Sequence, residues 1–275
     1  MTINCKGQLI DLSVPKVMGI LNLTPDSFYD GGRYKNDKDF LSQTEKMLNE
    51  GATFIDLGAY SSRPNATHIS ETEELQRLLP VIELLMDNFP EALLSVDTFR
   101  SQVARKGIHA GACMINDISA GKLDKNMLPT IASLKVPYVM MHMKGTPQTM
   151  QNQTQYTDMM KEILFYFSER ITKARALGII DVIADPGFGF SKTIAQNFEL
   201  LNNLDRLKML ELPILVGLSR KSLVYKTLNT SSNEALNGTT VLNTIALQKG
   251  AHILRVHDVK EAVESIRLLQ QFNKA

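Results

Sequence analysis

Eight short apolar runs, each of strand length, recur along this chain, and nearly every one ends in a polar or charged residue. They are PKVMGILN (15–22), TFIDLG (53–58), ALLSVDT (92–98), MINDIS (114–119), PYVMMHM (137–143), DVIADPG (181–187), PILVGLS (213–219) and HILRVHD (252–258). Longer segments of helical periodicity separate them. DKDFLSQTEKMLNEG closes on Gly51, a plausible C-cap. SETEELQRLLPVIELLMDN opens with Ser70 and Glu73 at capping-box spacing. YTDMMKEILFYFSERITKARALG carries apolar residues at three- and four-residue intervals and stops at Gly178. Eight strand–helix units in 275 residues give about 34 residues per unit, the size of a βα repeat.

Parallel strands alternating with helices predict an α/β fold, a (β/α)8 TIM barrel. The competing architecture, an open doubly wound sheet, lacks its glycine fingerprint after the first strand. INCKGQLIDL, ahead of the first strand, reads as a β-hairpin about Lys6-Gly7, expected to plug the bottom of the barrel. Residues 222–252 hold one helix or two, with NTSSN as a turn. No linker or low-complexity stretch divides residues 1–275, so one domain is expected.

Composition narrows the function classes. The net charge of +1 supplies no basic field for nucleic acid. The longest apolar runs are far too short to span a membrane, and the N-terminus lacks a basic-then-apolar signal. The two cysteines, Cys5 and Cys113, have no metal-ligand spacing and fit a reducing compartment, so a cytoplasmic protein is expected.

Buried parallel strands should be apolar on both faces. Here they turn polar at Asn22, Asp56, Asp97, Asn116, Asp117, His142, Asp185, Ser219 to Lys221, Arg255 and His257. In a barrel these ends meet at one mouth, where barrel enzymes place their chemistry. Taken singly, Asp56, Asp117 or Asp258 reads first as a helix cap. Arg255 and His257 are two apart and share a face. Facing helices they would be a buried, unpaired pair; facing the mouth they form a cationic corner. For His257 alone, a satisfied core histidine is the plain alternative. Asp97, Asn116 and Asp185 offer acceptors that suit a flat ligand edge rich in N–H donors, or alternatively a metal. No His pair or tight carboxylate cluster accompanies them. A hydrated Mg2+ held by substrate phosphates is compatible with that set. No nucleophile motif is present, which favours a reaction run by positioning and charge stabilisation.

Two long loops, TPDSFYDGGRYKND and AYSSRPNATHIS, follow the first and second strands. Ordinary βα connections are shorter, and long ones tend to be lids. Gly31-Gly32 would be a hinge and Phe28 a closing aromatic; the alternative is a pair of inert surface insertions.

At these residues a resemblance enters. GILNLTPDSFYDGG, SSRPNA, SVDT, INDIS, MHMKGTPQTMQ, DPGFGF, SRKS and RVHDV together resemble the dihydropteroate synthase family, in order, from Val17 to Lys260. The resemblance implies a barrel that joins 4-aminobenzoate to 7,8-dihydropterin-6-ylmethyl diphosphate, with Mg2+, in folate synthesis. It implies that Asp97, Asn116, Asp185, Lys221 and Arg255 hold the pterin, with Met141 packed on its ring. Asn22 would bind the Mg2+, and Asn22, Arg63, Arg255 and His257 the diphosphate. Phe28, Ser62, Arg63, Pro64, Phe190, Lys221 and Ser222 would form the aminobenzoate site, where sulfonamides compete. Asp97, Asp185, Lys221, Arg255 and His257 would carry the chemistry, expected to be ionisation of the C–O bond. The family is commonly a homodimer.

The chain departs from the family pattern at Tyr60, Ser62 and Asn65, where Glu, Thr and Gly are usual. Ser62 keeps the hydroxyl, whereas Asn65 adds bulk where the loop would meet aminobenzoate. Two rivals are a related pterin-binding methyltransferase, which lacks both lids, and a silent paralogue that only binds pterin.

Overall fold

The computed structural model describes residues 1–23, 33–61 and 68–274, with residues 33–36 as backbone only. Two antiparallel strands open the chain, β1 (Thr2–Cys5) and β2 (Gln8–Asp11). Eight strands then form one parallel sheet: β3 (Lys16–Asn22), β4 (Phe54–Gly58), β5 (Leu93–Asp97), β6 (Met114–Asp117), β7 (Tyr138–Met141), β8 (Val182–Asp185), β9 (Leu215–Val216) and β10 (Ile253–Val256). Their order is β8-β7-β6-β5-β4-β3-β10-β9, and a parallel bridge between Ala184 and Ile214 joins β8 to β9. The sheet therefore closes on itself as the expected barrel, not as an open doubly wound sheet.

Helices follow the strands: α1 (Arg33–Asn49), α2 (Glu71–Asn88), α3 (Ser101–His109), α4 (Met127–Leu134), α5 (Met159–Ala176), α6 (Ile194–Asn202), α7 (Ser222–Tyr225), α8 (Leu236–Gln248) and α9 (Val259–Phe272). Helix α2 starts where the sequence predicts. The Ser70 hydroxyl accepts from the Glu73 N–H at 3.1 Å. The reciprocal half of the capping box is not made, because Glu73 turns instead to Arg77 one turn on. Gly51 and Gly178 take φ of +100° and +81° just beyond α1 and α5, the left-handed values that end a helix. The ambiguous stretch 222–252 resolves into two helices, the single turn α7 and the longer α8, separated by Asn229 at φ +53°.

The hairpin turns at Lys6 and Gly7, both at positive φ, where Asn4 Oδ1 accepts the Gly7 N–H at 2.9 Å. Its apolar side, Ile3, Cys5 and Ile10, packs with Leu12 against the first inward residues of the strands, among them Met18, Phe54, Met114 and Ile253. These form a core separate from the large one between sheet and helices. The hairpin thus plugs the barrel at the strands' N-terminal ends. That leaves the opposite ends, where the strands become polar, as the accessible mouth.

Candidate active site

Because strand side chains alternate, the positions in phase with the plugged floor point up the lumen. Those are Asn22 on β3, Asp56 on β4, Asp97 on β5, Asn116 on β6, Met141 on β7, Asp185 on β8 and Arg255 on β10, with His257 just beyond. Of the predicted site residues, Asn22, Asp97, Asn116, Met141, Asp185, Arg255 and His257 thus lie on the strand positions that lead to this one cup.

Arg255 organises one wall. Its Nε donates to Asp56 Oδ2 at 2.6 Å and its Nη2 to Asp97 Oδ2 at 2.8 Å. Asn116 Nδ2 donates to the same Asp56 oxygen at 2.9 Å. Asp56 is fully buried, and its other oxygen makes no hydrogen bond among the described residues. A buried acceptor of that kind wants a donor. Burial pushes Asp97 up to about 7, against the pull of Arg255 and with the nearby Asp56 adding to it. Asp56 is the site residue that sequence reasoning set aside as a cap. A cap sits past the end of a strand, whereas Asp56 lies mid-strand in phase with Phe54.

The DPGFGF loop and Lys221 build the facing wall. Asp185 Oδ1 accepts the Gly187 N–H at 2.8 Å, and burial raises the Asp185 carboxyl while the Lys221 charge lowers it. Lys221, the N-cap position of α7, reaches back so that its Nζ donates to the Phe188 carbonyl at 2.5 Å. The same nitrogen stands 4.9 Å from the centre of the Phe190 ring. Burial lowers Lys221 to about 8, and Asp185 opposes that shift. Glycine is needed beside this side chain. A Cβ on Gly189 would sit 3.2 Å from Lys221 Cδ, and Gly189 holds φ +82°.

Met141, Met143, Ile118 and Met150 form a small apolar cluster at the mouth, with Phe99, Leu123 and Phe190 packed on it. His257 is fixed at the rim, its Nδ1 3.0 Å from Ser219 Oγ. Asn22 also reaches the rim. A Cβ on Gly58 would lie 3.7 Å from Asn22 Oδ1 and 3.8 Å from Asp97 Oδ2, so the glycine keeps open the space these oxygens share. Ser222 is the first residue of α7. Phe28, Ser62, Arg63 and Pro64 lie outside the described residues, as do Gly31, Gly32 and Asn65. Tyr60, at the base of the second loop, accepts from Gln148 Nε2 at 2.7 Å.

Three strand-end residues do not face the cup. Asp117, one position out of phase, accepts from Ser119, Gly121 and the Tyr138 hydroxyl, so it is structural as the plainer reading held, but it caps a turn, the next helix having Asn126 as its N-cap. His142 follows inward-facing Met141 and therefore points out, edge-on to the Tyr166 ring at 4.8 Å. Arg220 also turns away and grips Asp258 with two hydrogen bonds, at 2.9 and 2.7 Å. Among the described residues no three of His, Cys, Asp and Glu converge as a metal-binding group. The one described oxygen donor assigned to a metal from sequence is the Asn22 carboxamide. It suits a hard cation that takes its remaining ligands from phosphate and water.

Comparison with known proteins matches these features. The family model described as pterin binding enzyme covers residues 18–257. The dihydropteroate synthase of Escherichia coli K12 is 43% identical over 272 residues, spanning 98% of this chain and 96% of that protein. That of Haemophilus influenzae is 41% identical, spanning 98% of each. Among solved structures, Yersinia pestis dihydropteroate synthase with a sulfonamide drug complex superposes with a TM-score of 0.93, at 43% identity and full coverage of both chains. Xanthomonas albilineans dihydropteroate synthase with 4-aminobenzoic acid gives 0.93 at 38% identity, covering 100% of this chain and 98% of that one.

Proposed function

The chain belongs to the dihydropteroate synthase family of pterin binding enzymes, and we propose that residues 1–275 form one barrel domain whose cup carries out that family's condensation. It joins 4-aminobenzoate to 7,8-dihydropterin-6-ylmethyl diphosphate, giving 7,8-dihydropteroate and diphosphate for folate synthesis. This is a transferase reaction that forms a C–N bond. The observation that carries the reading is the pair of facing walls, Asp56–Arg255–Asp97–Asn116 and Asp185–Lys221, within one lumen.

In this reading the pterin ring enters edge-on. Its N–H donors meet Asp97, Asn116 and Asp185, and Met141 packs against its face. Lys221 and Arg255 complete the polar frame. The diphosphate lies at the rim, on Asn22, Arg63, Arg255 and His257. Phe28, Ser62, Arg63, Pro64, Phe190, Lys221 and Ser222 receive the aminobenzoate. Mg2+, with Asn22 as its protein ligand, supplies charge neutralisation to the leaving diphosphate when bound. Arg255 and His257 stabilise the same developing charge. The C–O bond breaks first, the reduced pterin spreads the positive charge, and Asp97 and Asp185 stabilise it electrostatically. The amine of aminobenzoate, held against the cup, then adds to the methylene and loses a proton.

The test is diphosphate release from the full chain, with and without aminobenzoate. Steady release is expected only with both substrates, and at most one equivalent with the pterin substrate alone. Steady release that ignores aminobenzoate would remove the synthase reading; no single-turnover release would replace ionisation by direct displacement. Asn22→Ala is expected to raise the Mg2+ concentration needed for half-maximal rate about tenfold, with kcat at saturating metal changed far less. An unchanged Mg2+ dependence would take Asn22 out of the metal site.

Two further readings rest on particular residues. Val241 on α8 and Leu268 and Phe272 on α9 are 51%, 72% and 72% exposed on two helices that pack together, and we assign this face to a homodimer. Sedimentation equilibrium should return twice the chain mass, and a single-chain mass would contradict it. Both cysteines are buried free thiols, which supports a reducing, cytoplasmic setting. Among the described residues no helix is long and apolar enough to cross a membrane.

A further inference from the structure

The loop from Asp185 to Ser191 is held in a shape that its own backbone would not keep. Gly187, Gly189 and Ser191 sit at φ +72°, +82° and +49°. Left-handed conformation at non-glycine Ser191 is costly and needs outside restraint, whereas the two glycines adopt it without steric cost. The backbone also runs hard against its neighbour. A Cβ placed on Gly187 would lie 2.1 Å from the His142 carbonyl oxygen.

Lys192 shares that restraint with Asn197, which accepts the Gly189 N–H at 2.7 Å, and with the Lys144 backbone, whose N–H donates to Ser191 Oγ at 2.7 Å. Lys192 is only 7% exposed, and its Nζ lies 3.0 Å from the Gly187 carbonyl, 3.0 Å from the Phe190 carbonyl and 3.2 Å from His142 Nδ1. An ammonium has three protons and no acceptor, so these three acceptors use it completely. While Lys192 is protonated, His142 Nδ1 is the acceptor of that contact and its ring is neutral. Its burial, together with the Lys192, Lys144 and Lys122 charges, holds it well below the usual histidine range. The charged and titratable groups around Lys192 are Asp185, Lys221, Lys144 and His142. No carboxylate is bonded to Lys192 among the described residues. Burial lowers Lys192 to about 7, with Asp185 pulling the other way. A buried ammonium without a bonded carboxylate is an expensive way to hold a loop. An apolar residue would cost less there unless the loop's exact shape matters.

We propose that Lys192 is a positioning residue for the second substrate: it clamps the loop so that Phe190 and Lys221 meet the aminobenzoate in one fixed arrangement. This rests on the synthase reading above. The mechanical link is short. Phe190 is tied through its carbonyl to Lys192, and its ring stands 4.9 Å from Lys221 Nζ. Lys221 is tied in turn to the Phe188 carbonyl. The pterin-facing wall of Asp97 and Asn116 is held separately, by Arg255 and Asp56. Loosening the loop therefore acts more on aminobenzoate, whose Phe190 lies within it, than on the pterin substrate, whose Asp97 and Asn116 lie outside it and whose Asp185 is anchored in β8, although Lys221 is common to both.

The experiment compares the full chain with Lys192→Met, which keeps the stem and removes the three donors. Amide hydrogen exchange in the peptide covering 186–192 should quicken about tenfold or more, with other peptides unchanged. The KM for 4-aminobenzoate should rise about tenfold, while kcat and the KM for the pterin diphosphate stay within about threefold. His142→Asn, which keeps an acceptor near the Nδ1 position, should exchange like the wild type, and His142→Leu should quicken exchange in the same peptide. The histidine pair decides the matter if Lys192→Met does not fold. Wild-type exchange in Lys192→Met or His142→Leu, or equal increases in both KM values, overturns the clamp. A wild type that never condenses the substrates would sink the synthase reading, while the exchange comparison would still decide the clamp.

Discussion

Arg255→Met should abolish turnover and remove about 3–5 kcal/mol of stability at pH 8, the range for breaking a buried ion pair from one side. The reason is what the guanidinium holds. Its two bonds, at 2.6 and 2.8 Å, reach Asp56, which is fully buried, and Asp97. Methionine fills the volume but leaves both carboxylates without their cation. The pH dependence identifies the cause. Burial raises Asp97 from its ordinary 3.8 to about 7, so the folded state binds a proton that the unfolded chain has released across that window. Stability from this group is therefore present below about 4 and is lost as pH rises toward about 7. Without Arg255 the ionised form is worse off still, so the variant's deficit should be large at pH 8 and shrink at pH 5. Urea unfolding at the two pH values measures it. Equal deficits at both would mean that lost packing, not lost charge pairing, is responsible.

Lys221→Ala should lower kcat/KM by about 10^2–10^3-fold and raise the KM of both substrates. Lys221 stands between the two proposed subsites. Asp185 attracts its ammonium on the pterin side, and the Phe190 ring lies 4.9 Å away on the aminobenzoate side. The wild-type rate should also carry an alkaline limb. Burial puts Lys221 at about 8, so the ammonium that the site uses is present below that value and disappears above it. In the alanine variant that limb should vanish. A loss confined to one substrate would show that Lys221 does not serve both, and an unchanged limb at about 8 in the variant would assign that limb to another group.

Much of this site was legible because a strand alternates with a period of two. Arg255 and His257 could be assigned to one shared face from the sequence, and the barrel brought that face and the polar ends of the other strands, Asp97 among them, to a common mouth. The same rule, applied more strictly, would have found Asp56, since a carboxylate two residues after inward-facing Phe54 must also point in. It would also have turned His142 away, because Met141 takes the inward position. What periodicity cannot reach is tertiary. Lys192 follows a glycine-rich loop with no repeating pattern, and its partners Gly187, Phe190 and His142 meet only after the barrel closes. Arg220 is similar: adjacent to site residue Lys221, it is drawn outward by Asp258, which lies far along the chain. The half-made capping box at Ser70 shows a local motif overruled by a neighbour, as Glu73 finds Arg77 on the next turn.

A crystal structure of the full chain with bound 7,8-dihydropterin-6-ylmethyl diphosphate tests the central claim most directly. The pterin edge should lie on Asp97, Asn116 and Asp185 with Lys221 and Arg255 beside it, and the diphosphate should reach Asn22 and His257 at the rim. A ligand bound elsewhere, with the Asp97–Arg255 wall and Lys221 left untouched, would contradict it.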